Sequence, residues 1–417
     1  MHPGVDPTAK ALLALAIIIL GSLALGSLAR LVRQPRVVGV LLFGILASTA
    51  FNALSSSRQN ALLPATSSTF IHYTGQVGLV LLVFVIGHHL REESARPQLG
   101  RLSASIGLGF GVPLLIGSAA ALAVLGPLRP KGTSSAETAI FIGLAVAVTA
   151  VPVLAVVLDE LDARQTPSGL LAMMTAVVND GLVWAVVVIL GFVRGSSGVS
   201  GAGAAGGVVV LALAIVAAPV CIGWWLKSNG GRRMELSAGL PLVVAVAVAA
   251  GAGSQMVGLH PIVGALAAGL TFPRGPDESE ALEQVSRFAT LVLTPVFFVD
   301  SCRSAPLQLF GHIPGTELAR LLIVLVAAIV GKLLAGFAIG RVNGLDRTDR
   351  ARVGVLLNCR GVTEIAVAAA GEATGLITPT GFLLLYLIAL STTALTVPAW
   401  RRLERQPLRE PAQKSMA

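Results

Sequence analysis

The chain has 417 residues, 54% of them hydrophobic and only 12% charged, with a formal net charge of +9. Soluble domains carry about 25% charged residues, whereas the mean hydropathy here is +0.82. A soluble enzyme or binding module is therefore excluded, and the composition is that of an all-α polytopic membrane protein.

Apolar runs of roughly 17–25 residues, the length that spans a bilayer, recur along almost the whole chain. About thirteen spans are expected. They cover residues 11–29, 37–51, 69–87, 102–125, 139–158, 168–192, 207–226, 236–251, 257–272, 288–302, 318–339, 353–373 and 378–400. The first run is long for a signal peptide and an Arg-rich turn follows it, so it reads as a retained span. Only short loops separate the runs, so residues 1–400 read as one membrane domain. Residues 401–417 read as a short basic cytoplasmic tail, with no soluble domain expected after the last run.

The positive charge is distributed by side. Alternate loops carry Arg30, Arg33 and Arg36, then Arg91, Arg96 and Arg101, then Arg164, then Lys227, Arg232 and Arg233, then Arg274. The series continues with Arg341, Arg347, Arg350 and Arg352 and ends with Arg401, Arg402, Arg405, Arg409 and Lys414. The opposite loops carry only Lys10, Arg58, Arg129, Lys131, Arg194 and Arg303. Cytoplasmic loops are enriched in Lys and Arg. The N-terminus is thus expected outside and the C-terminus in the cytoplasm of a multi-pass protein of the plasma membrane. The basic balance then reflects topology and anionic lipid, and no nucleic-acid partner is expected. Cys221, Cys302 and Cys359 are scattered and odd in number, so they suggest neither a metal site nor a disulfide framework.

Ionisable groups at membrane depth are costly and mark functional positions. Asp180 lies near the middle of the sixth run, after Asn179, in "MTAVVNDGLVWAVVVILGF". Lys332 lies inside the eleventh, and apolar or small residues on its N-terminal side argue against snorkelling to an interface. The twelfth run contains Asn358, Arg360, Thr363 and Glu364, and the fifth is interrupted by Thr149-Ala150-Val151-Pro152. Pro152 removes a backbone donor, and Gly361 permits backbone angles that other residues resist. Freed backbone groups survive in a bilayer only inside protein or beside a watery cavity. Two interrupted spans in corresponding places point to a transporter site built from inverted repeats. The fifth and twelfth runs are seven apart, so the two copies would be oppositely oriented.

These residues resemble the monovalent cation:proton antiporter-2 family, closest to its plant-type cation/H+ exchanger branch. The likeness runs in order through "RQPRVVGVLLFGILAS", "AVTAVPVLAVVLDEL", "AVVNDGLVWAVV", "GLHPIVGALAAGLTFPRG", "LTPVFFVDS", "LLNCRGVTEIAVAAAGEATGLI" and "ALSTTALTVPA". The resemblance implies an inverted-repeat antiporter fold with two crossed, discontinuous helices. These would be the fifth and twelfth spans, within a moving core of spans four to six and eleven to thirteen. The other spans would form a scaffold that dimerises. It also implies that Asp180 carries the ion, beside Asn179, that Lys332 is the membrane-embedded lysine, and that Thr149 breaks its helix. Arg360, Gly361 and Glu364 match the second break. This chain departs from the family at Val40 and at His88 and His89, where relatives carry acids.

The expected activity is secondary exchange of a monovalent cation, Na+ or K+, for protons, by alternating access. A carboxylate suits this because, ionised, it offers hard oxygens to the cation, and protonated it lets the cation go. Asp180, Asn179 and Thr149 are the candidate ion- and proton-binding residues, with backbone carbonyls freed near Thr149 and Asn358. Asn179 is read equally as a helix–helix hydrogen bond. Lys332 is either the counter-charge of Asp180 or a charge that neutralises the dipole ends of the broken helices. Arg360 and Glu364, spaced i, i+4, are read as a structural pair. Pro152, Asn358 and Gly361 shape the breaks. His88 and His89 are read as an interfacial polar end or as a pH sensor, and His260 as structural. No cofactor and no metal beyond the transported cation is expected. The alternatives are a proton-coupled exporter of an organic solute or ionophore, and an intramembrane enzyme or receptor. Against the enzyme stands the absence of paired catalytic acids, of Gly-x-Ser-x-Gly and of His-Glu-x-x-His.

Overall fold

The computed structural model describes residues 6–32, 34–92, 99–193, 239–256, 261–272, 276–303 and 315–404. Among these there are helices and no strands. In chain order they are α1 (Pro7–Leu31), α2 (Arg36–Asn52), the short α3 (Ser56–Leu62), α4 (Ala65–Glu92) and α5 (Leu99–Ala123). Next come α6 (Ser135–Ala147), α7 (Val151–Glu160), α8 (Pro167–Val193), α9 (Gly239–Met256), α10 (Pro261–Thr271) and α11 (Pro276–Phe288). A π turn (Ala289–Leu293) joins α11 to α12 (Thr294–Arg303). Then follow α13 (Gly315–Val342), α14 (Arg347–Leu356), α15 (Val362–Ala373) and α16 (Pro379–Glu404).

Seven helical stretches among the described residues are long and apolar enough to cross a membrane. The seventh expected span, residues 207–226, and His260 lie outside the described residues. Local sequence accounts for the ends. Asp6 caps α1 through Thr8 N at 3.0 Å, and Pro7 occupies its first turn, where a missing N–H costs nothing. Ser134 and Glu137 form a reciprocal capping box at α6, and Asp346 accepts from Asp349 N at 2.7 Å at the start of α14.

One expectation about boundaries changes. The tenth span, expected over residues 288–302, is the second half of a longer rod. Its first half, α11, carries Glu280, Glu283 and Arg287 outward and buries Ala281, Leu282 and Val285. Across the π turn, Thr294 Oγ1 donates to Ala289 O at 2.8 Å.

Packing falls into two sets. In one, α1 packs on α2, α4 on α10 and α12, and α9 on α10 and α11. In the other, α5 packs on α6 and α13, α13 on α14, α14 on α8, and α15 on α16. Contacts between the sets are sparser: α4 and α2 touch α7, α12 touches α15, and α16 touches α2. Many apolar residues of α1 remain exposed, among them Leu12, Leu13, Ile17 and Leu20. In contrast α6 is buried nearly all round, from Thr138 to Ala147, which marks it as a central element.

Glycine sets the closest approach in the second set. A Cβ on Gly336 of α13 would collide with the backbone of Gly354 on α14. Lys332 lies one turn before Gly336, so this contact carries the lysine toward the interrupted helices. Gly336→Val should therefore cost stability by overpacking, about 1–3 kcal/mol. Gly107→Ala, where an added Cβ meets nothing within 4 Å, should not. Thermal unfolding of the purified protein in detergent distinguishes the two.

Candidate functional site

The fifth and twelfth apolar runs are each two helices with an extended gap. Helix α6 ends at Ala147, Val148 and Ala150 are extended, and α7 begins at Val151 with Pro152 in its first turn. Pro152 thus starts the second half-helix rather than kinking a continuous one, since proline is tolerated in a first turn. Helix α14 ends at Leu356 and α15 begins after Gly361. The gaps cross and bond to each other: Ala150 N donates to Cys359 O at 3.0 Å, and Thr149 Oγ1 donates to Leu357 O at 3.0 Å.

An interrupted helix leaves carbonyls without their N–H partners, and in a dry interior these need other donors. The C-terminus of α6 receives them from two buried cations. The Arg360 guanidinium donates to Ala145 O at 3.3 Å and Val146 O at 2.6 Å. The Lys332 ammonium donates to Ala147 O, and to Thr149 Oγ1 at 2.8 Å. Both cations are fully buried and lie at the negative end of a helix dipole. Arg360 also forms an ion pair with Glu364 Oε1 at 3.0 Å, both side chains 0% exposed.

The second gap is held from α16. Thr393 Oγ1 accepts from Arg360 N at 2.9 Å and donates to Arg360 O at 2.6 Å. Thr393 was singled out by no sequence argument, although two threonines inside an apolar run were the available signal. Gly361 has φ 167, which is extended backbone open to any residue. Its small size is required instead by close approach, because a Cβ there would lie 2.6 Å from Val153 Cγ2 on α7.

Asp180, on α8, is 4% exposed. Its Oδ2 accepts from Val151 N, the first residue of α7, at 3.4 Å. Thr363 lies beside the same carboxylate. Among the described residues Oδ1 has no hydrogen-bond partner. Lys332 and Asp180 form no ion pair among these residues; in this conformation the ammonium serves the α6 carbonyls. Asn179 is fully buried with neither amide atom partnered. It faces α5, since a Cβ on Gly109 would lie 2.9 Å from its Nδ2. Adjacent helix residues do not face each other, and Asn179 and Asp180 accordingly point at different helices.

Asn358 donates through Nδ2 to Gly354 O at 2.9 Å, while its Oδ1 is unpartnered. The carbonyls freed at the breaks are mostly engaged by protein donors in this state. Among the side-chain oxygens of these site residues, Asp180 Oδ1, Asn179 Oδ1, Asn358 Oδ1 and Glu364 Oε2 are buried and unpartnered. His88 lies away from this cluster in α4, 2% exposed, its ring edge-on to Phe272 at 6.3 Å between centroids. The His89 side chain lies outside the described residues.

Residues 15–401 match the sodium/hydrogen exchanger transmembrane family. The chain belongs to that family. It is 29% identical over 393 residues to the Na(+)/H(+) antiporter NhaS4 of Synechocystis, covering 93% of this chain and 95% of that one. It is 26% identical to cation/H(+) antiporter 20 of Arabidopsis thaliana over 92% of its own length and 47% of the relative's. The chain thus spans about half the length of that plant relative. Its fold is that of the sodium proton antiporter MjNhaP1 of Methanocaldococcus jannaschii. The TM-score is 0.68, with 96% and 99% of the two chains covered and 15% identity. The family is one of secondary transporters embedded in membranes by many passes, and the fold is the all-α fold of a membrane antiporter.

Removing one partner of a buried ion pair leaves the other charge uncompensated, at about 3–5 kcal/mol. Glu364→Ala should therefore lower thermal stability sharply. Glu364→Gln, which keeps an acceptor for Arg360, should lower it less. Melting curves of the two variants side by side check this.

Proposed function

We propose that the chain exchanges a monovalent cation for protons by alternating access, with Asp180 binding the two in turn. The observation that carries this reading is the Asp180 carboxylate. It is buried at the N-terminus of α7, where two half-helices cross, and no cationic side chain pairs with it among the described residues. The relatives' names supply the cargo: a Na(+)/H(+) antiporter and a cation/H(+) antiporter.

The proposed chemistry follows from the oxygens. Val151 N holds Oδ2 at the positive end of α7, which leaves Oδ1 for a cation or a proton. Ionised, the carboxylate ligates Na+ or K+; protonated, it is neutral and releases it. Thr363 lies beside the carboxylate, whereas Asn179 faces α5 and Asn358 bonds Gly354 O, so in the proposed cycle these two join an oxygen shell only by turning toward Asp180. The Thr149 hydroxyl has its donor committed to Leu357 and accepts from Lys332, so its proposed part is to hold the break rather than to ligate. Lys332 and Arg360 donate their hydrogen bonds to the α6 terminus and leave the carboxylate to the cargo.

The two packing sets support a moving core around α5–α8 and α13–α16 against a scaffold of the remaining helices. The exposed apolar face of α1 supports contact with lipid or with a second copy in a homodimer. Arginine distribution supports an external N-terminus and a cytoplasmic C-terminus. His88, packed on Phe272, is assigned to the α4–α10 contact rather than to pH sensing. The organic-solute alternative draws no support from the relatives' names.

Asp180→Asn keeps the shape of the site and removes its charge. In proteoliposomes containing a pH dye, the wild type should show proton movement driven by Na+ or K+, and the variant should fall to the level of empty vesicles. Undiminished flux in Asp180→Asn would contradict the proposal.

A further inference from the structure

A contact between the two packing sets lies far from Asp180. Helix α2 begins at Arg36 after Pro35, and Pro35 provides no side-chain cap. The first N–H of α2 is instead taken by Glu160, 124 residues away, the last residue of α7. Arg36 N donates to Glu160 Oε1 at 2.8 Å and to Oε2 at 3.0 Å. A carboxylate at a helix N-terminus satisfies an orphan donor and meets the positive end of the dipole.

The neighbouring acid behaves differently. Asp159 is held by Arg164, just beyond α7, through two bonds of 2.7 and 2.8 Å. Of two adjacent acids, one is thus satisfied within its own set of helices and the other reaches across. The charged groups facing Glu160 are Arg36 and Arg30 from α2 and α1 and Arg401 from α16. A cavity of about 570 Å³ opens beside it, lined by Arg30, Gln34, Val156, Glu160, Thr294 and Arg401 among others. The cavity does not include Asp180, and Val156 lies five residues along α7 from Val151, about 7.5 Å at helical rise. The contact therefore lies at the seam between the sets, on the arginine-rich side.

We propose that Glu160 is a positioning residue that tethers α7 to the N-terminus of α2 and holds the transporter in the conformation seen here, with Asp180 sealed. The tether must open for α7 to move against α2 in the transport cycle. This inference rests on the two-body reading of transport given above. A bond present in one conformation and absent in the other biases the populations by its own free energy. For a carboxylate on a helix terminus this amounts to roughly fivefold.

Two variants weaken the tether by different routes. Glu160→Gln removes the charge. Arg36→Pro leaves Glu160 untouched and removes the N–H that it accepts, at the first position of α2, where proline is tolerated. The readout is the rate at which Val156→Cys, in a background with Cys221, Cys302 and Cys359 replaced, reacts with a membrane-impermeant maleimide. Both variants should change that rate in the same direction, each by roughly fivefold. The half-saturating cation concentration for exchange should shift with it. Unchanged labelling in both variants, or a loss of thermal stability in Glu160→Gln with labelling unaltered, overturns the proposal and leaves Glu160 a structural cap. Wild-type proteoliposomes measured in parallel separate the two readings. Absent cation-driven proton flux defeats the transport assignment, whereas labelling reports on the tether alone.

Discussion

The site depends on one constraint: a helix broken in a dry interior must find donors for the carbonyls at its broken end. At the end of α6 those donors are Arg360 and Lys332, one from the second gap and one from α13, each more than 180 residues further along the chain. This arrangement explains why two cations lie fully buried among apolar helices. Each serves backbone oxygens, and Arg360 has Glu364 as its counter-charge. It also explains why α13 approaches α14 through glycine, since Lys332 reaches Ala147 from a helix that must pack closely.

The same constraint shapes what Asp180 meets. The C-terminal end of α6 is occupied by positive side chains, so the neighbouring N-terminus of α7 is left to the carboxylate. With Asp180, Glu364, Lys332 and Arg360 all ionised the cluster sums to zero. One bound cation or one bound proton each adds a single positive charge, so the two loaded forms of the proposed cycle are alike in formal charge. Alternating access then needs weak contacts between the packing sets, and the sparse contacts of α7 and α16 with α2 are of that kind.

The broken helices and the buried charges were legible in the sequence because they violate their surroundings. Asp180 and Lys332 interrupt apolar runs, Pro152 and Gly361 interrupt helical ones, and Arg360 and Glu364 stand one turn apart. The resemblance placed these residues in one fold. What was not legible is pairing across distance. No periodicity tells that Lys332 serves Ala147, that Thr393 clasps Arg360, or that Glu160 caps a helix 124 residues before it. Nor does adjacency tell what Asn179 faces: it shares a dipeptide with Asp180 but turns to α5. Nor is it legible that Gly361 meets Val153, whose side chain leaves little room for a Cβ beside the extended backbone. The rod formed by α11, the π turn and α12 blurred a boundary because its polar first half does not look like a span.

The account's central claim is that a cation and a proton compete for one carboxylate. Isothermal titration of the purified protein with NaCl or KCl, repeated across pH and in buffers of different ionisation enthalpy, tests this most directly. The prediction is that cation binding releases a proton, seen as a buffer-dependent heat, and that apparent affinity weakens as pH falls. Cation affinity independent of pH, with no proton released on binding, would contradict it.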